Sequence, residues 1–230
     1  MMRFLKRAKG TGKVGGSAIS KEFIKENVPV LLTKFTIAET VLKNLGLLGK
    51  RVPMYLVVDY SGSMRKFYPR TMQIISDRTL AGAAHLDDDE KVPVIAFSTD
   101  LNGTETADLT EHAGFMERFM RKLGSMGGTN YAPAFRKLLS LHKKKKQGLV
   151  VFITDGGPQD LDPAEKQLQK LFDKNLFVQA LAVRDPYSNY DVLKGWKRKY
   201  PKNFGFQEVD MSMQDDQFYN LVFGEFSKVA

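Results

Sequence analysis

The chain has 230 residues, with 35 Lys+Arg against 26 Asp+Glu for a formal charge of +9, a 43% hydrophobic composition and no cysteine. That is enough apolar chain for a sizeable core and too much for wholesale disorder. The lack of cysteine excludes a disulfide scaffold, a zinc finger and a thiol nucleophile, so any metal must be held by oxygen or imidazole.

The positive charge is concentrated at the start: residues 1–52 hold 11 Lys+Arg and 3 Asp+Glu, which leaves 24 against 23 in 53–230. A nearly neutral body with a basic leader reads as a solvated appendage rather than a nucleic-acid arm. Residues 1–19 are therefore expected to form a flexible basic tail. Its run Gly10-Thr11-Gly12-Lys13-Val14-Gly15-Gly16-Ser17 is only superficially a phosphate loop, because Val14 stands where Ser or Thr is needed and no strand precedes it. No secretory signal is visible. The longest apolar runs, such as Met54 to Val58, fall far short of the roughly 20 residues that span a bilayer. The expectation is a soluble cytoplasmic protein without a membrane span.

Residues 20–51 read as a helical extension, with Ser20 capping a short helix to Asn27 and a second helix following. In that second helix Leu31, Leu32, Phe35, Ile37, Ala38, Val41, Leu42 and Leu45 recur at intervals of three and four. From residue 52 the pattern changes to short apolar runs alternating with amphipathic stretches. Strands are expected at 52–59, 92–98, 149–154, 176–183 and 204–209, and helices at 67–85, 111–123, 131–144, 163–173, 189–200 and 214–226. The polar segment before residue 108 lacks room for a helix and predicts a short antiparallel edge strand near 105–108. Runs that are apolar on both faces, alternating with helices, imply a doubly wound α/β fold: a mostly parallel sheet with one antiparallel edge strand and helices on both faces. Residues 52–230 would form this domain. Ligands on such sheets sit beyond the carboxyl ends of the strands, where the strand order reverses.

The chemistry gathers at those ends. The first strand runs into Asp59-Tyr60-Ser61-Gly62-Ser63-Met64, placing Asp59, Ser61 and Ser63 at alternate positions in a tight loop. Gly127-Gly128-Thr129-Asn130 brings another hydroxyl ahead of a helix, and the strand at 149–154 ends in Asp155-Gly156-Gly157-Pro158. Two carboxylates and three hydroxyls without sulfur or imidazole form a hard-oxygen set suited to Mg²⁺, with Mn²⁺ or Ca²⁺ able to take its place. If the two aspartate-bearing strands are neighbours about 5 Å apart, their carboxylates repel by about 3 kcal/mol at an effective dielectric near 20. A bridging cation would offset that cost. Each fragment alone is ordinary turn chemistry; their joint occurrence after hydrophobic strands is the informative feature.

These five positions resemble the von Willebrand factor A family, whose metal-ion-dependent adhesion site (MIDAS) is written Asp-x-Ser-x-Ser with a distant Thr and a distant Asp. Asp59, Ser61, Ser63, Thr129 and Asp155 match it in turn. The wider strings from Val57 to Met64 and from Gly127 to Ala134, with the helix before the first strand, are similar to bacterial members of the tellurium-resistance type. The resemblance implies a non-enzymatic, Mg²⁺-dependent module in which a partner protein's Glu or Asp completes the coordination of the ion, with a tellurium or metal stress response as its expected setting. Two other classes remain in view: a metal-dependent phosphoester hydrolase, and nucleic-acid binding by the basic leader.

The remaining features read as structural. His85, His112 and His142 fall on helices or their ends, away from the strand-terminal loops, which argues against a Ser-His-Asp hydrolase. Phe115, Met116, Phe119, Met120 and Leu123 form a core-type stripe, and Trp196 anchors a basic surface helix. The run Lys143-Lys144-Lys145-Lys146 complements a helix C-terminus, and Asp87-Asp88-Asp89-Glu90 is a solvated loop.

Overall fold

The computed structural model describes residues 16–87, 89–143, 146–186 and 188–230. Most of the expected tail, including its glycine-rich run up to residue 15, lies outside the described residues, as do Asp88, Lys144 and Lys145. In chain order the elements are α1 (Lys21–Asn27), α2 (Leu32–Asn44), β1 (Met54–Asp59), α3 (Arg70–Leu86), β2 (Lys91–Phe97), β3 (Leu101–Asp108) and α4 (Phe115–Met120). They continue with α5 (Ala132–Leu141), β4 (Gly148–Thr154), α6 (Leu161–Asp173), β5 (Leu176–Val183), α7 (Asp191–Lys199), β6 (Phe204–Val209) and α8 (Asp215–Gly224).

The six strands form one sheet in the order β3-β2-β1-β4-β5-β6, with every pairing parallel except that of β2 with β3. β1, β4 and β5 are buried along their whole length, as strands covered on both faces must be. Their alternation builds two cores. Met54, Leu56 and Val58 of β1 face a cluster with α2, α3 and α8, while Tyr55 and Val57 face a second cluster with α5, α6 and α7. Trp196 is buried in the second cluster, and Phe115, Met116 and Phe119 in the first.

The N-terminal helices belong to the packed body. Ser20 accepts the Phe23 N–H to cap α1, and α2 lies against α3 and α8. Residues just before Ser20 are also docked, with Ala18 and Ile19 donating backbone N–H to the carbonyls of His85 and Ala84.

Most ends fall within two residues of expectation, and four elements differ in a way that has a physical reason. A 3-10 turn covers Ser63–Phe67 and α3 begins only at Arg70, because Pro69 lacks an N–H and suits the entry to a helix rather than its interior. The antiparallel edge strand is eight residues, Leu101–Asp108, rather than the last four; its polar outer residues carry no apolar alternation, and only pairing with β2 reveals them. The expected helix at 111–123 resolves into a 3-10 turn (Leu109–Glu111) and the short α4, with Gly114 in the left-handed region between them. α5 ends at Leu141 with His142 as its C-cap, so the lysine run follows the helix rather than forming its last turn.

Candidate metal centre

β1 and β4 are parallel neighbours with Val58 opposite Ile153, so Asp59 and Thr154 end adjacent strands and Asp155 follows at once. The next strands diverge, β2 to one side and β5 to the other. The carboxyl ends of β1 and β4 therefore flank the crevice where the strand order reverses, the usual ligand position on such sheets.

Asp59 is fully buried. Its Oδ1 accepts the Ser61 N–H at 2.7 Å and its Oδ2 the Thr154 hydroxyl at 2.7 Å, while its backbone carbonyl accepts from the Tyr68 hydroxyl at 2.7 Å. Burial pushes the Asp59 carboxyl up to about 7; the bonds from Ser61 and Thr154 oppose that rise and the nearby Asp155 adds to it. The charge is removed from water faster than its hydrogen bonds compensate.

Ser61 Oγ lies 3.1 Å from Ser63 Oγ, and the Ser63 hydroxyl donates to Asp155 Oδ1 at 3.0 Å. The other carboxylate oxygen of Asp155, Oδ2, is buried without a hydrogen-bond partner among the described residues. The Asp155 carboxyl is also raised, chiefly by burial, with Asp185 contributing, against the lowering influence of Ser63 and Lys66. Lys66 and Asp185 pair at 2.9 Å nearby.

Thr129 arrives from the loop before α5. A parallel bridge joins Ser61 to Gly127, and Gly62 N–H donates to the Gly127 carbonyl at 3.0 Å. Space is tight at both glycines: a Cβ at Gly127 would stand 2.6 Å from Thr99 Oγ1, and one at Gly128 2.5 Å from Gln159 Oε1, so that the Gln159 side chain would have to move. Thr129, Ser63 and Asp155 line one open cleft of about 400 Å³, together with Pro158, Asn189 and Asp191. The structure thus brings all five motif residues to one pole of the sheet: Asp59, Ser61, Ser63 and Asp155 in a chain of hydrogen bonds, and Thr129 across the cleft.

Several participants were not singled out from sequence. Thr154 bonds Asp59, and the Tyr131 hydroxyl, with a single proton to give, stands against two acceptors, Thr154 Oγ1 at 3.0 Å and the Gly156 carbonyl. Gln159 and Asp160 contact the Thr129 loop. Thr154, beside Asp155 at a strand terminus, had a positional signal; the others act across long sequence separations and had none. The histidines are occupied elsewhere: His85 with Ser17 and the Phe35 carbonyl, His112 with Asp77, and His142 with Tyr55 and the Lys174 carbonyl.

Among the described residues no three His, Cys, Asp or Glu side chains converge in a way that could hold a metal. An ion here would depend on hydroxyl oxygens beside the two carboxylates. The donor set fits that demand, since a buried carboxylate oxygen without a partner costs about 1–3 kcal/mol or more and a hard cation is the kind of partner it lacks.

The family model vWA-TerF-like, described as the vWA found in the TerF C terminus, matches residues 51–229. Among solved structures, a von Willebrand factor type A protein from Catenulispora acidiphila aligns with a TM-score of 0.54 at 17% identity, covering 77% of this chain and 43% of that one. Manganese-loaded TRAP protein from Plasmodium vivax gives 0.53 at 18% identity, covering 79% and 74%. Proximal thread matrix protein 1 from the mussel byssus, with a zinc-occupied MIDAS motif, gives 0.53 at 14% identity, covering 80% and 50%. The chain spans less than half the length of the first of these. At these identities the likeness is one of fold. No curated protein sequence matches.

Proposed function

The chain belongs to the vWA-TerF-like family, and we propose that it is a non-enzymatic, Mg²⁺-dependent protein-interaction module whose site is completed by an acidic residue of a partner. Asp59, Ser61, Ser63, Thr129 and Asp155 would hold the ion. The single observation that carries the reading is the buried, unpartnered Asp155 Oδ2 at the wall of an open cleft. When bound, the cation supplies a Lewis-acidic point that attracts a carboxylate. The chain's own residues do the rest. Ser61 N–H and Thr154 hold the Asp59 carboxylate from two sides, Ser63 orients Asp155, and the cleft leaves room for a Glu or Asp side chain from outside.

The zinc-occupied MIDAS motif of the byssus protein and the manganese loading of the TRAP protein support a divalent ion, and the hard-oxygen donors favour Mg²⁺, with Mn²⁺ or Ca²⁺ as substitutes. A role in tellurium or metal stress is part of the proposal and rests on the sequence resemblance of the strings from Val57 to Met64 and from Gly127 to Ala134. No described helix is long and apolar enough to cross a membrane, in keeping with the cytoplasmic placement we propose. The docking of α2 on α3 and α8 supports residues 20–51 as an extension built onto the domain at 52–230.

Thermal melts with and without MgCl₂ test the site. Mg²⁺ at a hundred times its dissociation constant should stabilise the parent by about 2.7 kcal/mol, and Asp59→Ala should remove that increment. Equal responses in parent and variant would sink the assignment. Metal-dependent turnover of a generic phosphoester, lost in Asp155→Ala, would replace the interaction module with a hydrolase.

A further inference from the structure

The segment following Asp155 holds more than its own helix. Asp160 stands at the N-cap of α6, yet its side chain makes no capping bond there. Its carboxylate instead accepts the N–H of Tyr131 at 2.8 Å and of Ala132 at 3.0 Å. These are opening donors of α5, where Pro133 brings none.

One residue earlier, Gln159 pairs with Thr129 in both directions. Its N–H donates to the Thr129 carbonyl at 2.8 Å, and its Oε1 accepts the Thr129 N–H at 3.3 Å. Gly128 permits this approach, since a Cβ there would collide with Gln159 Oε1 at 2.5 Å. Gly128 and Asn130, on either side of Thr129, are tied instead to Ser98 and Thr99 at the end of β2. Thr129 itself is therefore held from the β4 side.

A capping side chain ordinarily serves the helix it precedes. Here α6 forgoes that bond, and two consecutive residues spend four hydrogen bonds joining the segment that carries Thr129 to the segment that carries Asp155. Resting on the metal-site reading above, we infer that Gln159 and Asp160 are positioning residues that lock the Thr129 and Asp155 loops into one unit. They thereby set where the Thr129 hydroxyl stands relative to Asp155, across the cleft the cation and the partner's acid would share. Outer partners that orient metal ligands have this effect on affinity generally.

Calorimetric titration of the full chain with MgCl₂, alongside melts in EDTA, tests the clamp. Asp160→Ala and Gln159→Leu should each raise the Mg²⁺ dissociation constant roughly tenfold. Asp160→Asn, which keeps an acceptor for only one of the two N–H groups and turns an amide NH₂ on the other, should recover part of the loss. A purely structural role would lower the melting temperature in EDTA and leave the dissociation constant where it was. Unchanged Mg²⁺ affinity in Asp160→Ala and Gln159→Leu, with affinity lost in Asp59→Ala, overturns the clamp and leaves the site reading standing. Absence of Mg²⁺ binding by the parent overturns the site reading and the clamp with it. Should Asp160→Ala fail to fold, Gln159→Leu, at an exposed position, decides the matter.

Discussion

Two of the places where the molecule buries titratable side chains treat them in opposite ways. At the C-terminal end of α3, His85 is fully buried and complete. Its Nε2 meets the Phe35 carbonyl at 2.9 Å and its Nδ1 meets Ser17 Oγ at 2.6 Å, with the ring 3.9 Å from that of Phe35. A carbonyl can only accept, so Nε2 carries the proton and the Ser17 hydroxyl donates to Nδ1. At the carboxyl ends of β1 and β4, Asp59 and Asp155 are buried side by side, and Asp155 Oδ2 has no partner among the described residues. A satisfied buried group is a finished structural joint, whereas an orphaned one beside an open cleft points to a ligand.

The largest test of that contrast is His85→Ala. Loss of the ring and of both its bonds should cost about 3 kcal/mol, with the Mg²⁺ increment in melting temperature intact. A variant that lost the Mg²⁺ response as well would show the two regions to be coupled rather than separate.

The pH dependence of metal-free stability sharpens the comparison further. Burial raises Asp59 from 3.8 to about 7 and lowers His85 from 6.5 to about 4. Between about pH 4 and 7 the folded state holds the Asp59 proton more tightly than the unfolded chain does, so raising the pH through that window removes stability. His85 has the opposite sign: the unfolded chain holds its proton more tightly between about pH 4 and 6.5, so stability is gained as pH rises. Melts in EDTA should show the advantage of Asp59→Asn over the parent growing from pH 4 to 7. A constant difference would mean that Asp59 ionises in the native state as it does in the unfolded chain.

The smallest expected effect is that of Ser17→Ala. It removes one hydrogen bond from His85 and should cost about 1 kcal/mol, measurable by denaturant unfolding. No loss at all would mean that Ser17 contributes nothing to holding the N-terminal segment at His85.

Much of the architecture was legible because it is written in local periodicity. The strands at Leu176–Val183 and Phe204–Val209 stand where their apolar runs place them, and Ser20 and Asn27 bracket α1 as their side chains suggest. The strand-terminal motif residues were visible for the same reason, since each follows or precedes a recognisable element. The start of β3 was not, because Asn102, Gly103 and Thr104 pair through backbone atoms alone and carry no apolar alternation. The roles of Tyr131, Gln159 and Asp160 were hidden too, as their bonds cross to loops far away in sequence. Asp160 even suggests a cap for the wrong helix.

The sequence by itself determined the alternation of buried strands and amphipathic helices, and with it the α/β class and the strand ends that carry Asp59 and Asp155. Hydrophobic spacing and residue type suffice for that, because burial on two faces demands it. Only the tertiary structure decided that β1 and β4 lie side by side at the reversal of strand order, that Asp155 Oδ2 is left without a partner, and that Asp160 bonds α5 instead of α6. Those outcomes depend on which segments meet across long loops, and a contact between distant backbone and side-chain atoms leaves no period in the sequence.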